Sequence, residues 1–282
     1  MTRHTRLVTI QDVSCFGKCS LTVALPIISA MGVETCIIPT AVLSTHTAFE
    51  GFTFRDLTDD IPAIAEHWKT LALSFDAIYT GYLGSVRQID MMKRFFADFG
   101  TQALKIVDPV MADNGKLYPG FTPAFAAEMA TLCGCADLIV PNLTEACFLL
   151  GEEYDPGISR DEVRAKELLR RLCALGCRTA VLTGYFPDEA HQGALAYDSH
   201  ADAFTQYVRE HLDVKFHGTG DVFSSTLAGA LTLGRPMEDA LRAAVNFTVD
   251  SIRATMDDRD THWYGVRFED CILALLRELE AR

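Results

Sequence analysis

The chain has no basic block. Its 25 Lys and Arg stand against 38 Asp and Glu, and the formal net charge over 282 residues is −13. Without a cationic face, nucleic acid and anionic membrane are excluded as principal partners, so small molecules become the expected ones. No apolar run reaches membrane-spanning length, and the start, MTRHTRLVTIQ, enters a strand-like segment without a signal-peptide core, which predicts a cytoplasmic protein. None of the nine cysteines forms a CxxC pair; the closest spacings, Cys133 to Cys135 and Cys173 to Cys177, have no nearby histidine. That excludes a zinc motif, and the odd count argues against a disulfide framework, leaving small buried thiols as the expectation. Two nucleotide motifs are missing as well. No strand leads into a GxGxxG fingerprint, and DVSCFGKCS ends like a P-loop but has Asp12 where the first glycine is required. No repeat, low-complexity segment or linker breaks the chain, so residues 1–282 are expected to form one domain.

What is present is a hydrophobic content of 49%, enough for a sizeable core, in an alternating arrangement. RLVTIQ, VETCIIP, FDAIYTG, ALKIVDPV, ADLIVPN and TAVLTG read as strands separated by helix-length segments, a parallel α/β pattern. Helices are predicted over Ser20 to Met31, Val86 to Phe99, Arg160 to Leu175, Thr219 to Leu233, Met237 to Met256 and Phe268 to Leu279. The stretch Gly193 to Glu210 alternates like a hairpin turning near Asp198 to Asp202, which predicts an antiparallel edge. Several strands end in polar or turn residues: Asp12, Thr80-Gly81, Asp108-Pro109, Pro141-Asn142 and Thr183-Gly184. Ligands of open α/β sheets bind outside such carboxyl ends.

The densest motif is HGTGDVFSSTLAGAL, His217 to Leu231. Gly218 and Gly220 let backbone N–H groups approach a ligand, and the helix that follows presents the positive end of its dipole, a setting for a phosphate-sized anion. Asp221 would stand beside that anion, placed to face an incoming hydroxyl. Taken alone, the motif is equally a bend whose acid caps the helix. Asp108 could likewise only punctuate a strand end, Asn142 only cap a helix and Glu145 only favour the helix dipole. His46, Thr47 and Tyr82 are equally open between loop or core residues and ligand contacts.

The order of motifs is more specific than any one of them. TGYLGS (Thr80 to Ser85), VDPVM (Val107 to Met111), VPNLTEACFLLG (Val140 to Gly151) and then GTGD together resemble the vitamin B6 kinases, the pyridoxal and pyridoxamine kinases of the ribokinase-like superfamily. The resemblance runs from Thr9 to the helix after Asp221. It implies a three-layer α/β/α fold, with a mostly parallel central sheet, that transfers the γ-phosphoryl of ATP to the 5′-hydroxymethyl group of a pyridine vitamer. It further implies that Asp221 is the catalytic base and that Gly218, Thr219 and Gly220 are the anion hole. Asp108, Asn142, Glu145, Thr183, Gly184 and Phe216 would meet ATP, with Asp108 and Glu145 near magnesium. His46, Thr47 and Tyr82 would meet the vitamer. MADNGKLYPG (Met111 to Gly120) resembles a flexible closing loop, with Asp113 and Tyr118 as its contacts. A homodimer belongs to the same expectation, and a monovalent cation requirement stays open.

The start departs from the pattern. After Ile10-Gln11 the family usually has a serine and then a histidine, followed by Gly-Asn, whereas this chain has Asp12-Val13 and later Ser20-Leu21. A carboxylate at a vitamer-binding position would favour a cationic partner such as the aminomethyl group of pyridoxamine. Two rivals stand beside this reading: a hydroxymethylpyrimidine kinase, whose relatives often carry cysteine in place of the GTGD acid, and a non-catalytic nucleotide or vitamer sensor, which has no need of Asp221.

Overall fold

The computed structural model describes residues 4–258 and 260–280. It falls into two compact units, one made of the chain up to Ala77 together with the chain from Leu212, the other of Ile78–His211.

The first unit opens with β1 (Arg6–Ser14), whose residues are almost all buried, as expected of a parallel strand covered on both faces. Helix α1 (Leu21–Ala30) crosses to β2 (Glu34–Leu43), which pairs parallel with β1. Their register slips by one residue opposite Asp12, a local irregularity of the kind that re-aims a side chain next to a site. A short exposed strand, β3 (Phe54–Asp56), pairs antiparallel with β2, and α2 (Ile61–Thr70) follows.

The second unit begins within β4 (Ala77–Thr80) and continues with α3 (Val86–Phe99), β5 (Leu104–Val107), the small hairpin β6 (Ala112–Asp113) and β7 (Lys116–Leu117), α4 (Pro123–Cys133), β8 (Leu138–Ile139), α5 (Leu143–Leu150) and α6 (Glu162–Cys173). It ends in β9 (Thr179–Tyr185), β10 (His191–Asp198) and β11 (Ala203–Glu210). Strands β5, β8 and β9 are parallel, and β9, β10 and β11 are antiparallel, with the β10–β11 turn after Asp198 as expected. Serine, threonine and aspartate start its helices: Ser85, Thr122 and Asp161 each accept a first-turn N–H.

The chain then returns to the first unit with α7 (Thr219–Thr232), α8 (Met237–Met256) and α9 (Ile272–Glu280). Among the described residues, the main sheet is mixed, mostly parallel with antiparallel edges, and helices flank it. Among the described residues, no helix is long and apolar enough to cross a membrane.

Three expectations need adjustment. The helix expected from Phe268 begins as a 3-10 turn, Phe268–Cys271, before α9. The strand expected to stop at Pro39 continues to Leu43. Helices α2 and α4 were not foreseen: α2 is short and buries only Ile61, and α4 is apolar on nearly every side and so shows no clear stripe in sequence.

Candidate active site

In the first unit the glycine motif makes the turn into α7. Gly218 is the N-cap, in the left-handed region at φ 77°, and its carbonyl accepts the Val222 N–H at 3.0 Å. A Cβ on Gly218 would lie 1.7 Å from the Lys18 carbonyl oxygen, so the turn packs directly on the backbone of residues 15–20. Gly220 has open space where a Cβ would be. No side chain caps α7, so its positive end is left to the loop and to ligand. Thr219 donates its hydroxyl to the Phe216 carbonyl at 3.3 Å, which ties the helix start to the preceding loop.

Asp221, in the first turn of α7, does not cap its own helix. Its carboxyl faces the Ser20 backbone, which favours the ionised form, and the Asp12 carboxylate, which disfavours it. The side chain is half-buried, and burial pushes its carboxyl up to about 7, with Asp12 adding to the rise. The simple helix-cap alternative therefore gives way to an acid whose partners come from other segments.

Asp12 itself is only 5% exposed. It accepts the Ser14 hydroxyl at 3.1 Å and faces the Ser20 side chain, and burial raises its carboxyl above the usual range. Cys19, between the two acids, has its thiol held well above its ordinary value by burial and by both charges. It is a neutral, unreactive thiol rather than a nucleophile.

His46 is buried and accepts the Ala48 N–H at Nδ1 (3.3 Å) while its Nε2 lies 2.9 Å from the Tyr264 carbonyl, to which it donates. Those partners define a neutral tautomer, and burial lowers its tendency to protonate. A Cβ on Gly17 would come within 2.2 Å of the imidazole, so glycine there is a packing requirement. Around His46 stand Phe49 (ring centroids 4.9 Å apart), His217 (5.1 Å) and Trp263 (6.2 Å). Phe16 and Tyr264 extend the same cluster, and Phe16 and Trp263 remain 50% and 42% exposed. These rings offer a face to a flat heteroaromatic ligand. Sequence reasoning found His46 but missed Phe16, Phe49, Trp263 and Tyr264. The compact HWYG run at His262 to Gly265 was the signal available. Thr47 is exposed beside this cluster, and Phe216 is half-buried.

In the second unit the acids gather at α5. Asn142 and Glu145 form a reciprocal capping box: Glu145 N–H donates to Asn142 Oδ1 and Asn142 N–H to Glu145 Oε2, each at 2.9 Å. Glu145 Oε1 also accepts the Met111 N–H at 3.2 Å, and Asn142 Nδ2 donates to the Ala112 carbonyl at 2.9 Å. Asp108 and Glu145 are both buried, and the Glu145 carboxyl is raised well above its usual range by burial and by Asp108. Burying two acids side by side is costly unless a cation joins them. Their hard oxygen donors fit magnesium, which usually takes one or two carboxylates and completes its shell with water and phosphate oxygens. Among the described residues, no cluster of three metal-ligating side chains exists, so protein groups alone do not make a closed site.

Thr183 donates its N–H to the Pro141 carbonyl at 3.1 Å, and Gly184 sits at the irregularity between β9 and β10 with a left-handed φ of 68°. Tyr82 packs on Phe121 with ring centroids 5.7 Å apart. The segment foreseen as a flexible loop contains the β6–β7 hairpin turned at Asn114-Gly115. Asp113 accepts the Asn114 N–H at 2.8 Å, and the Gly115 N–H donates to Thr144 Oγ1 at 3.0 Å. Tyr118, just after it, is 40% exposed.

The fold, the glycine turn and the enclosed acid define a ribokinase-like phosphotransferase that uses ATP and an alcohol acceptor. The chain belongs to the phosphomethylpyrimidine kinase family, which matches residues 24–263. It is similar to a candidate phosphomethylpyrimidine kinase from Bacteroides thetaiotaomicron, in a crystal form with pyridoxal, at 38% identity and TM-score 0.91 over 97% of this chain and 96% of that one. It is also similar to pyridoxal kinase from Lactobacillus plantarum, at 31% identity and TM-score 0.89 over 99% of both chains. Among characterised sequences, a pyridoxine/pyridoxal/pyridoxamine kinase from Bordetella avium is 28% identical over 88% of this chain and 85% of its own length.

Proposed function

We propose that this chain is an ATP-dependent kinase that phosphorylates the 5′-hydroxymethyl group of a vitamin B6 vitamer. The observation that carries it is Asp221, a half-buried acid in the first turn of a helix whose positive end has no side-chain cap. The names of the relatives, and the pyridoxal in one of their crystals, support a B6 vitamer as the acceptor.

In this reading the backbone of Gly218, Thr219 and Gly220, with the positive end of α7, receives the oxygens of the phosphoryl group in transit. Asp221 accepts a hydrogen bond from the vitamer hydroxyl and takes its proton as the new O–P bond forms and the bond to ADP breaks. An acid titrating near 7 is a far weaker base than an alkoxide, but in a loose transition state the proton leaves late, so orientation matters most. His46, Thr47 and the neighbouring rings present the pyridine. Phe216, Thr183 and Gly184 border the nucleotide, and Tyr82, Asp113 and Tyr118 close over substrate. Asp108 and Glu145 would hold magnesium, which when bound supplies the positive charge that a helix end of roughly half a unit cannot. Asn142 keeps Glu145 in place through the capping box and retains a second amide hydrogen for a phosphate oxygen.

The whole chain acts as one kinase domain, a reading supported by a family match that runs through both units. A cytoplasmic homodimer with an added monovalent-cation requirement completes the proposal. The dimer predicts a mass of twice 31.1 kDa by light scattering.

The family description favours one rival, a hydroxymethylpyrimidine kinase. A magnesium-ATP turnover panel over pyridoxal, pyridoxamine, pyridoxine and hydroxymethylpyrimidine decides between them. The expected result is a kcat/KM for the best B6 vitamer at least about tenfold above that for the pyrimidine, a difference of about 1.4 kcal/mol in transition-state binding. Turnover should stop when magnesium is chelated. Equal or better use of the pyrimidine overturns the vitamer assignment, and absence of all turnover returns the sensor reading.

A further inference from the structure

We propose that Thr144 is a positioning residue: its hydroxyl seats the tip of the β6–β7 hairpin on α5, and the seated hairpin keeps Glu145 aimed as a magnesium ligand, a role that rests on the kinase reading of Glu145.

The hairpin cannot place itself. It has two cross-strand pairs, Ala112 with Leu117 and Asp113 with Lys116, and a ladder that short is not stable alone. Its turn residues, Asn114 and Gly115, are both in the left-handed region, at φ 51° and 75°, as a two-residue hairpin loop requires. Its position must therefore come from what it rests on.

That support is the first turn of α5, whose side chains grip the hairpin from base to tip. At the base, the Met111 N–H donates to Glu145 Oε1 at 3.2 Å. Along β6, Asn142 Nδ2 donates to the Ala112 carbonyl at 2.9 Å, and at the tip the Gly115 N–H donates to Thr144 Oγ1 at 3.0 Å. Thr144 is only 2% exposed, so water does not readily take the place of its oxygen. The Tyr154 ring makes a second contact at the tip: a Cβ on Gly115 would come within 2.7 Å of it. The Tyr118 N–H closes the hairpin onto the Met111 carbonyl at 2.8 Å, so movement at the tip is carried back to Met111.

Glu145 receives that movement directly. Its Oε1 accepts the Met111 N–H and its Oε2 the Asn142 N–H, and the two bonds together fix the plane of the carboxylate. A carboxylate has about four acceptor sites, so these bonds leave room for a cation. The capping box holds Oε2 from within α5, whereas Oε1 depends on the hairpin. Magnesium demands a near-ideal octahedral shell, and groups that orient its ligands govern its affinity. Thr144 acts at that remove, through Gly115 and Met111.

Thr144→Val keeps the shape of the side chain and removes the acceptor. In the full-length protein without nucleotide, amide exchange over residues 111–118 should speed up by about three- to tenfold, the effect of one lost hydrogen bond. Mn²⁺ bound in the presence of ADP, read by electron paramagnetic resonance, should weaken by about three- to tenfold, and the magnesium concentration that half-saturates turnover should rise by a similar factor. Thr144→Ser keeps the oxygen and should bring both readings back to within about twofold of the parent. Should Thr144→Val fold poorly, Tyr154→Leu loosens the same tip and is expected to move both readings in the same direction.

Unchanged exchange in folded Thr144→Val overturns the seat. Faster exchange with unchanged Mn²⁺ affinity overturns the positioning role and leaves the kinase reading intact. Equal effects in Thr144→Ser and Thr144→Val assign them to packing and also overturn it. Weaker Mn²⁺ binding in Thr144→Val, with no turnover of any vitamer by the parent, supports Thr144 and sinks the kinase reading instead. A parent that retains no Mn²⁺ with ADP removes Glu145 from the metal site, and the role of Thr144 falls with it.

Discussion

Asp221→Asn is expected to lower kcat for vitamer phosphorylation by about 10²- to 10⁴-fold while leaving KM for ATP near its parental value. Asparagine keeps the shape of the side chain, but it cannot take a proton. The loss should therefore fall on the chemical step and spare nucleotide binding, which the glycine turn and the helix end provide. Near-parental kcat in a folded Asp221→Asn protein would refute the assignment of the base.

The same acid fixes the direction of the pH dependence. In the folded protein its carboxyl is raised from 3.8 to about 7, so the reactive carboxylate forms only as pH climbs through neutrality. Parental kcat should rise between pH 6 and 8, and the residual activity of Asp221→Asn should be flat across that limb. Stability runs the other way. Between the ordinary carboxyl value and about 7, the folded state holds a proton that the unfolded chain has released, so this group makes folding less favourable as pH rises through that window. Asp221→Asn removes the effect and should melt higher than the parent at pH 8, with the difference shrinking towards pH 4. A variant that is both slower and more stable is the signature of an acid kept enclosed for chemistry.

Much of this was legible in the sequence for identifiable reasons. Buried strands such as β1 and β4 announce themselves as continuous apolar runs, and Ser85 and Asp161 mark helix starts through chemistry that acts within three or four residues. The glycine turn, Asp221 and the Asn142 to Glu145 cap are equally local. Helix α4 hid because its small apolar residues carry no stripe, and α2 because it buries a single side chain. What stayed hidden at the site is long-range. Ser20 reads as the first residue of a helix until its φ of 54° is known, and it acts on Asp221 across 201 positions of sequence. Trp263 joins His46 only through the fold, and nothing in either neighbourhood signals the other. Asp12 was legible as a departure from the family pattern, but its burial beside two serine side chains was not.

Gly218→Ala is expected to be the most damaging single methyl group in the motif. The position requires φ 77°, which costs a side-chain-bearing residue about 1–2 kcal/mol, and the added carbon would lie 1.7 Å from the Lys18 carbonyl oxygen. A backbone oxygen cannot rotate away as a flexible side chain can. Either the start of α7 or residues 15–20 must shift, adding about 1–3 kcal/mol of overpacking. A total loss of about 2–5 kcal/mol should lower Tm by roughly 5 to 15 °C in a chain of this size. The shift also moves the helix start that carries both the glycine turn and Asp221, so kcat should fall together with ATP affinity. Gly220→Ala supplies the contrast. Its Cβ meets open space and its φ is not in the left-handed region, so the fold and melting temperature should be retained. Any weakening of ATP binding in Gly220→Ala then reports a methyl group standing where phosphate approaches the backbone, whereas unchanged affinity and turnover would remove Gly220 from the anion hole. Parental melting and turnover in Gly218→Ala would show that residues 15–20 and the helix start move independently.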